Sequence, residues 1–385
     1  MKILIGVPNT NVGGITTAAV NLSNELASRG HNVYFLDMSG RNDCAERLCN
    51  NIEVLSLKGR SKLWNIGNES IRRARGLKKL GILVVGAIKK LTIRSGLWYN
   101  LIFSKFNKKE YFDVAIAFRQ CAHCYSFVLN KVNAKKKIGF VHGELTYMGD
   151  ISSWKRYMTR FDKIAYVSSA VKEQFVSAYP ELEKNACTIY NMFNIEQIKS
   201  LADEDCDIDF DKNKVNIVTV ARIENTLKQT DWIVKICEKL KEQTSAPFHW
   251  YVVGDGPNYD ETVEMANTYG VSDVLTLVGK RQNPFPLVKQ SDFTVLTSKS
   301  EAYPMVVIES FILRKPMVVA RFGSINEMME NKKHGLIAQQ NIESLTEYVK
   351  QMIENTNWVR TACETELSNT KINNDVAYNQ FVNAI

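Results

Sequence analysis

Two acidic side chains, Glu301 and Glu309, stand eight residues apart around a predicted junction between a strand and a helix. A β-branched run precedes Glu301 and predicts a buried strand, and Pro304 marks a helix start because proline suits the first helical position. The free N–H groups of Met305 and Val306 at that helix start favour a phosphate. Carboxylates beside an anion site suit a ligand whose hydroxyl groups flank a diphosphate, which is the chemistry of a nucleotide sugar. The alternative is an ordinary junction with two solvated glutamates.

Two cations, Arg222 and Lys228, follow the predicted strand 215–220 and stand six residues apart in the loop before the next helix. Paired cations in such a loop can bind a diphosphate. Gly254 begins the Gly-Asp-Gly-Pro turn after the next strand, where a flat nucleotide base can lie against the backbone. Arg281 follows a third strand. The second half of the chain therefore collects its candidate residues at strand ends.

The first half of the chain offers further candidates at strand ends. Gly13 and Gly14 connect a predicted first strand to a helix, and paired glycines let the backbone approach a ligand at a helix N-terminus. The pattern differs from the G-x-G-x-x-G dinucleotide fingerprint, and a tight connection is the alternative. His142 ends the predicted strand 137–142, at the edge where open α/β sheets bind ligands, although a lone histidine is more often structural.

Two patterns have the spacing of metal ligands, but we interpret neither of them as a metal site. Cys121-Ala-His-Cys124 has the spacing of a redox motif or of half a zinc site, but no second pair of cysteines or histidines follows it. We interpret these as partly buried structural cysteines, with metal or redox chemistry as the alternative. Asp207 and Asp209 have the Asp-x-Asp spacing by which some enzymes hold a cation, but they lie in a polar acidic run rather than after an apolar strand. No metal is expected.

The length of 385 residues suffices for two domains with separate cores, and 45% hydrophobic with 23% charged residues is typical of a globular protein. Eight scattered cysteines indicate no disulfide framework and favour a reducing cytosol. The chain passes from Met1 directly into the first predicted strand, which argues against a signal peptide, and no apolar run is long enough to span a bilayer. A cytoplasmic location is therefore predicted.

The net charge of +8 is concentrated in one basic segment, residues 58–109. This segment contains fourteen Lys or Arg residues and one acid, Glu69, which leaves the remainder of the chain at −5. Aromatic residues are interleaved, and an apolar run, 80–88, lies between two lysine pairs. Such a composition suits an anionic membrane surface. A solvated helix face and nucleic acid are the alternatives, and because no nucleic-acid-binding motif accompanies the charge, we expect no nucleic acid partner.

Strands alternate with helices along the whole chain, which predicts an α/β protein with parallel sheets. The acidic run 203–211 breaks the pattern and is interpreted as an exposed connection between two domains. The predicted organisation is an N-terminal Rossmann-like domain, a linker, a C-terminal Rossmann-like domain and a helical tail that packs back towards the first domain: residues 1–195, 196–212, 213–366 and 367–385.

Together these features resemble the family 4 glycosyltransferases, whose GT-B fold has two Rossmann-like domains facing across a cleft. The resemblance covers nearly the whole chain and is strongest over residues 215–338. Its specific part is the joint order of features at successive strand ends: Gly13-Gly14, His142, Arg222 with Lys228, Gly254-x-Gly256 and Glu301-x7-Glu309. The sequence Asn283-Pro-Phe-Pro286 looks like that of members that build bacterial surface polysaccharides.

The resemblance implies a retaining hexosyltransferase that moves a sugar from a nucleotide sugar, with a UDP-sugar favoured over a GDP-sugar, to a lipid-linked or polysaccharide acceptor. It also implies that the N-terminal domain binds the acceptor and that the enzyme works without a metal or other cofactor. The expected setting is synthesis of capsule or lipopolysaccharide at the inner face of the plasma membrane. A nucleotide-sugar epimerase and a non-catalytic nucleotide-sugar-binding scaffold are the alternatives, and an NAD enzyme fits least because the dinucleotide fingerprint is absent.

Residue roles are implied by position in the family pattern. The implied catalytic residues are His142, Arg222, Lys228 and Glu301. The implied donor-binding residues are Gly13, Gly14, Arg222, Lys228, Gly254, Arg281, Glu301, Ala302, Tyr303, Met305, Val306 and Glu309. Ala302 stands where the family usually has glycine, and Ser324 stands where it often has a second glycine, so the identity of the donor sugar does not carry over.

Overall fold

The computed structural model describes residues 1–10, 13–56, 76–92, 110–355 and 373–385. These residues divide into two compact units, of which unit 1 comprises Met1–Phe193 with Asn374–Ile385 and unit 2 comprises Asn194–Asn373. Each unit is an α/β structure built on its own parallel sheet. The predicted fold class of two Rossmann-like units is therefore confirmed.

Unit 1 contains a described sheet of seven parallel strands in the order β3-β2-β1-β4-β5-β6-β7. The strands are β1 (Lys2–Val7), β2 (Asn32–Asp37), β3 (Glu53–Ser56), β4 (Tyr111–Ala117), β5 (Asn133–Val141), β6 (Lys163–Tyr166) and β7 (Ala186–Thr188). The central strands are almost wholly buried and apolar, as expected for a parallel sheet covered on both faces. The strand order reverses between β1 and β4, so the loops after these two strands diverge at the carboxyl edge.

The helices of unit 1 have identifiable start and stop signals. They are α1 (Gly14–Ser28), α2 (Gly76–Thr92), α3 (Ala122–Lys131), α4 (Ser152–Met158), α5 (Ser169–Ala178) and a C-terminal helix, α13 (Asn374–Asn383). Gly30 follows α1 with a φ of 82°, a conformation that closes a helix and favours glycine. The Ser168 hydroxyl caps α5 by accepting a hydrogen bond from the Val171 N–H at 3.3 Å. Among the described helices, none combines the length and hydropathy needed to cross a membrane.

The C-terminal helix α13 packs onto α1 through polar contacts. Asn374 Nδ2 donates to Glu25 Oε2 at 2.7 Å and to the Phe193 carbonyl at 2.8 Å. Arg29, just beyond α1, forms an ion pair with Asp375 at 2.7 Å. The end of the chain is therefore part of unit 1, held by contacts that an apolar pattern does not predict.

Unit 2 contains a described sheet of six parallel strands in the order β10-β9-β8-β11-β12-β13. The strands are β8 (Val215–Val220), β9 (Phe248–Val253), β10 (Leu275–Gly279), β11 (Phe293–Leu296), β12 (Met317–Ala320) and β13 (Gly335–Ala338). Trp250 and Phe293 lie fully buried in the core between sheet and helices. The strand order reverses between β8 and β11, and open α/β sheets bind ligands outside the carboxyl ends at such a reversal.

Unit 2 begins with a helix in the segment that the sequence interpretation assigned to a linker. The helices are α6 (Ile195–Ala202), α7 (Thr230–Gln243), α8 (Tyr259–Thr268), α9 (Phe285–Gln290), α10 (Met305–Ile312), α11 (Ile325–Met328) and α12 (Ile342–Glu354). Asn194 Oδ1 caps α6 by accepting from the Gln197 N–H at 3.0 Å. Asn283 Nδ2 donates to the Leu201 carbonyl at 2.7 Å and so joins the start of α9 to the end of α6. The first part of the assigned linker is thus a structured part of unit 2.

Candidate functional site

The loops after β8 and β11 meet at the strand-order reversal of unit 2. The Lys299 N–H donates to the Leu227 carbonyl at 2.7 Å, and the Thr297 hydroxyl donates to the Lys228 carbonyl at 2.8 Å. Because β8 and β11 are parallel neighbours, their carboxyl ends lie at the same edge of the sheet. The predicted cation loop, 221–229, and the predicted acid segment, 297–301, therefore form one surface.

Lys228 and Glu301 form a direct ion pair between these two segments, from positions 73 residues apart in the chain. Their side chains are 28% and 13% exposed, so both charges are partly shielded from water. Arg222 is exposed and forms no ion pair with any residue that the structure describes. The arrangement offers one exposed cation and one cation whose carboxylate partner a phosphate could displace.

The backbone carbonyl of Glu301 is held by Ser324, which stands where the family often has a second glycine. The Ser324 hydroxyl, fully buried, donates to the Glu301 carbonyl at 3.1 Å. Ala302 and Tyr303 are also buried, and α10 begins at Met305, one residue after the proline. A serine in place of glycine thus fixes the orientation of the acid segment.

The first turn of α10 carries the remaining donor-binding candidates. Met305 and Val306 are half-buried residues at the helix start, where backbone N–H groups lack partners within the helix. Glu309 is half-buried one turn further along the same helix. Its carboxylate and the helix N-terminus are thus carried by one rigid element, which suits a ligand with hydroxyls next to a phosphate.

The cation loop is shaped by Glu224, an acid between the two predicted cations. Its Oε1 accepts hydrogen bonds from the Thr226 N–H at 2.6 Å and the Leu227 N–H at 3.0 Å. Burial alone would raise the pKa of Glu224, but these hydrogen bonds outweigh it and lower the pKa. The ionised carboxylate therefore organises the loop. Asn225 joins the loop to α7, because its Oδ1 accepts a hydrogen bond from the Asp231 N–H at 3.2 Å in the first turn of that helix.

Gly254 and Gly256 pack against the back of the cation loop. A Cβ atom at Gly254 would lie 1.8 Å from the Ala221 carbonyl oxygen, and one at Gly256 would lie 2.1 Å from the Ile223 carbonyl oxygen. The Ile223 N–H also donates to the Asp255 carbonyl at 3.1 Å. The two glycines are therefore required for the loops to approach each other, whereas the contact of Gly254 with a nucleotide base stays a prediction.

Arg281 is engaged with the acidic run rather than exposed as a free cation. Its guanidinium forms an ion pair with Asp207 Oδ2 at 2.8 Å and donates to the Val278 carbonyl at 3.0 Å. One acid of the Asp-x-Asp pattern thus has a structural partner. Over the described ranges, no group of three or more His, Cys, Asp or Glu residues could hold a metal ion. Donor binding by Arg281 stays a prediction.

Gly13 and Gly14 lie at the start of α1 in unit 1. Gly13 is the residue before the helix, its φ of 165° is ordinary extended backbone, and no described atom lies within 4 Å of a Cβ built on it. Neither crowding nor a left-handed conformation thus requires glycine there. What the glycine leaves is open backbone at a helix N-terminus, which suits the approach of a ligand.

His142 follows β5 and packs against two aromatic rings that also contact each other. Its ring centroid lies 4.6 Å from that of Phe118 and 5.7 Å from that of Phe140. Burial lowers its pKa to about 3, so the imidazole is neutral at neutral pH. The ring bonds to the Phe118 backbone, and its buried Nε2 has no hydrogen-bond partner among the described residues. The Gln120 side-chain oxygen accepts a hydrogen bond from the backbone N–H of His142 at 3.1 Å. No feature of the sequence indicated this role of Gln120. His142 is thus placed as a neutral hydrogen-bonding group.

Comparison with solved structures shows which fold the two units have. Over its full length the chain is similar to the solved structure of TarM from Staphylococcus aureus, with a TM-score of 0.72, 13% identity, and coverage of 100% of this chain and 99% of that one. TarM was solved with UDP bound. The two units therefore have the GT-B fold of glycosyltransferases.

The sequence of unit 2 also has a family match. Residues 203–366, most of unit 2, match the family described as Glycosyl transferases group 1. The N-acetyl-alpha-D-glucosaminyl L-malate synthase of Bacillus anthracis is 20% identical over 354 residues, which is 88% of this chain and 84% of that protein. The capsular polysaccharide biosynthesis glycosyltransferase CapH of Staphylococcus aureus is 26% identical over 152 residues, 38% of this chain and 39% of CapH. Homologues thus include enzymes of bacterial polysaccharide synthesis.

Proposed function

We propose that this protein is a retaining, metal-independent hexosyltransferase of bacterial cell-surface glycan synthesis. It transfers a sugar from a nucleotide sugar, preferentially a UDP-sugar, to a lipid-linked or polysaccharide acceptor. The observation that carries the proposal is the joining of the Arg222–Lys228 loop to Glu301 at the strand-order reversal of a group 1 glycosyltransferase domain. The UDP bound to TarM and the capsular role of CapH support the choice of donor and setting.

In the proposed reaction the bond between the anomeric carbon and the phosphate oxygen breaks, and negative charge grows on the departing diphosphate. Arg222, Lys228 and the N–H groups at the start of α10 stabilise that charge, because preorganised donors act most strongly where charge develops. The acceptor hydroxyl bonds to the anomeric carbon on the face that the phosphate leaves, and its proton passes to the phosphate oxygen. No electron is gained or lost, so the step needs no redox cofactor.

The two glutamates take complementary roles in this proposal. Glu309 accepts hydrogen bonds from the ribose hydroxyls, and Glu301 holds the donor sugar once a phosphate has displaced it from Lys228. Lys228 and Glu301 are in direct contact, so the donor diphosphate must compete with Glu301 for Lys228. The binding energy of the donor therefore includes the cost of opening that pair.

Replacing Glu309 with alanine tests the donor site. We expect UDP to bind about 10- to 100-fold more weakly, because a lost hydrogen bond to a charged group costs about 1.5–3 kcal/mol. Calorimetric titration with UDP measures the change. Glu264→Ala, at an exposed glutamate on α8, is the matched control and should bind UDP like the unmodified protein. Equal UDP affinity in the Glu309 and Glu264 variants would remove the assignment.

Helix α2 motivates a further part of the proposal, peripheral binding to the inner face of the plasma membrane. Its apolar side chains at helical spacing are exposed, with Leu80 at 61% and Leu91 at 82%, and Leu83, Val84 and Ile88 lie between them. Lys79 and Lys90 on the same helix are exposed as well. An exposed apolar stripe beside cations is the pattern of a helix that lies in an anionic lipid surface. The rest of the basic segment, 58–75 and 93–109, lies outside the described residues.

Flotation with anionic vesicles tests the membrane proposal. The double change Leu83→Asp with Ile88→Asp should lower vesicle binding roughly 100-fold, because burying one such side chain contributes about 1.5–3 kcal/mol. Binding of the unmodified protein should weaken as salt rises. Val263→Asp, which charges an exposed valine on α8, is the control and should leave binding unchanged. Vesicle binding that survives the double change would refute the role of α2.

A further inference from the structure

Two cysteines and a histidine meet at the N-terminus of α3 in unit 1. Cys121 is the residue before the helix and is partly exposed, whereas Cys124, in the first turn, is fully buried. Cys121 has an extended backbone conformation and stands three residues before Cys124. The sequence alone favoured two structural cysteines. The contacts of these two cysteines instead favour a reactive pair.

The Cys121 sulfur lies in a polar environment made by its own turn. His123 Nε2 is 3.3 Å from Cys121 Sγ, and the Cys124 thiol donates to the Gly6 carbonyl at 3.4 Å. Burial alone would raise the pKa of Cys121, but the adjacent Cys124 and His123 groups outweigh it and lower the pKa. The Cys124 thiol is the opposite case, since burial and the neighbouring Cys121 sulfur raise its pKa. One sulfur is thus prepared as a nucleophile and the other as its proton-bearing partner.

We propose that Cys121 and Cys124 form a redox-active dithiol that exchanges with low-molecular-weight disulfides. The Cys121 thiolate attacks one sulfur of the small disulfide, forms a mixed disulfide and releases one small thiolate. Cys124 then loses its proton, attacks the Cys121 sulfur and releases the second small thiolate. Two protein thiols are oxidised to one intramolecular disulfide, and the small disulfide is reduced to two thiols, so atoms and electrons balance.

The remaining described cysteines lack this arrangement. Burial raises the pKa of Cys44 and of Cys187 to about 11, and it raises that of Cys237 further. Cys49 is exposed and Cys206 is half-buried, and neither has another cysteine three or four residues away. Reactivity towards disulfides should therefore concentrate on the 121–124 pair. The pair also adjoins Gln120, which holds the backbone of His142.

The test uses the full chain equilibrated with mixtures of reduced and oxidised glutathione, quenched by alkylation and analysed by peptide mass spectrometry. The expected result is a peptide containing residues 121–124 that has lost two hydrogen atoms and resists alkylation until a reductant is added. Cys49→Ser should leave that disulfide intact, and Cys124→Ser should stop the reaction at a glutathione adduct on Cys121. A 121–124 peptide that stays reduced at every glutathione ratio would overturn the proposal.

A kinetic measurement on the unmodified protein is independent of whether the Cys124 variant folds. At pH 6 most ordinary thiols are protonated, so iodoacetamide should alkylate Cys121 roughly tenfold faster than Cys49. His123→Gln should reduce that advantage because it removes the imidazole that lies 3.3 Å from the sulfur. Equal rates at Cys121 and Cys49 would contradict a prepared thiolate.

Discussion

Replacing Lys228 with alanine is expected to slow sugar transfer about 10²- to 10³-fold while the protein stays folded. Lys228 extends from a loop whose shape is set by Glu224 and Asn225, so its removal takes away a positioned charge without removing the support of the loop. The effect should fall mainly on the rate rather than on donor affinity, because the charge on the diphosphate grows as the bond breaks. Release of UDP from a UDP-hexose, in the presence of membrane-extracted glycolipid acceptors, measures it.

Lys239→Ala is the matched control for this prediction. Lys239 lies on α7, the helix that follows the cation loop, and its half-exposed side chain reaches Glu343 at 3.8 Å, so its loss should leave the transfer rate near that of the unmodified protein. The double variant Lys228→Ala with Glu301→Ala should lose less than the two single losses combined, since the residues are in contact. An unchanged transfer rate in Lys228→Ala would show that the ion pair is structural only.

Alanine at Gly256 is expected to lower the free energy of unfolding by about 2–3 kcal/mol and to reduce transfer with it. The new Cβ would lie 2.1 Å from the Ile223 carbonyl oxygen, and backbone atoms have no rotamer with which to move aside. The cation loop must therefore shift or the turn must open. Urea unfolding measures the stability change, and UDP release measures the loss of transfer.

Gly13→Ala tests whether glycine at this position is needed for sugar transfer rather than for packing. No described atom lies within 4 Å of the added Cβ and the backbone there is extended, so stability should stay within about 0.5 kcal/mol. Transfer should still slow, because the resemblance to family 4 glycosyltransferases implies that Gly13 binds the donor. Equal unfolding curves for Gly256→Ala and the unmodified protein would contradict the packing explanation.

The fold could be predicted because its signals are local. Apolar runs such as 215–220 and 293–297 are long enough to predict strands, and alternation with helices predicts parallel sheets. The apolar run 80–88 likewise lies inside a helix, Gly76–Thr92. The order of strands within each sheet is not local, and the meeting of β8 with β11 had to come from the structure.

The individual residues of the candidate site could be predicted from the sequence, but the contacts between them could not. Arg222, Lys228 and Glu301 stood out as charged residues at strand ends, but the sequence does not show that Lys228 and Glu301 touch across 73 positions. Glu224 and Ser324 act through single hydrogen bonds to backbone groups, for which no spacing rule exists.

Glycine is ambiguous for a related reason. Gly256 admits the backbone of a neighbouring loop, Gly13 leaves space for a ligand, and in both cases the sequence shows only the missing side chain.

Calorimetric titration of the full chain with UDP, GDP and NAD, with and without a chelator, tests the central claim most directly. We predict that UDP binds with the same affinity in both conditions, that NAD produces no heat of binding, and that Arg222→Ala weakens UDP binding. Binding of NAD in place of UDP, or UDP binding that needs a divalent cation, would contradict a metal-independent nucleotide-sugar site at the carboxyl ends of β8 and β11.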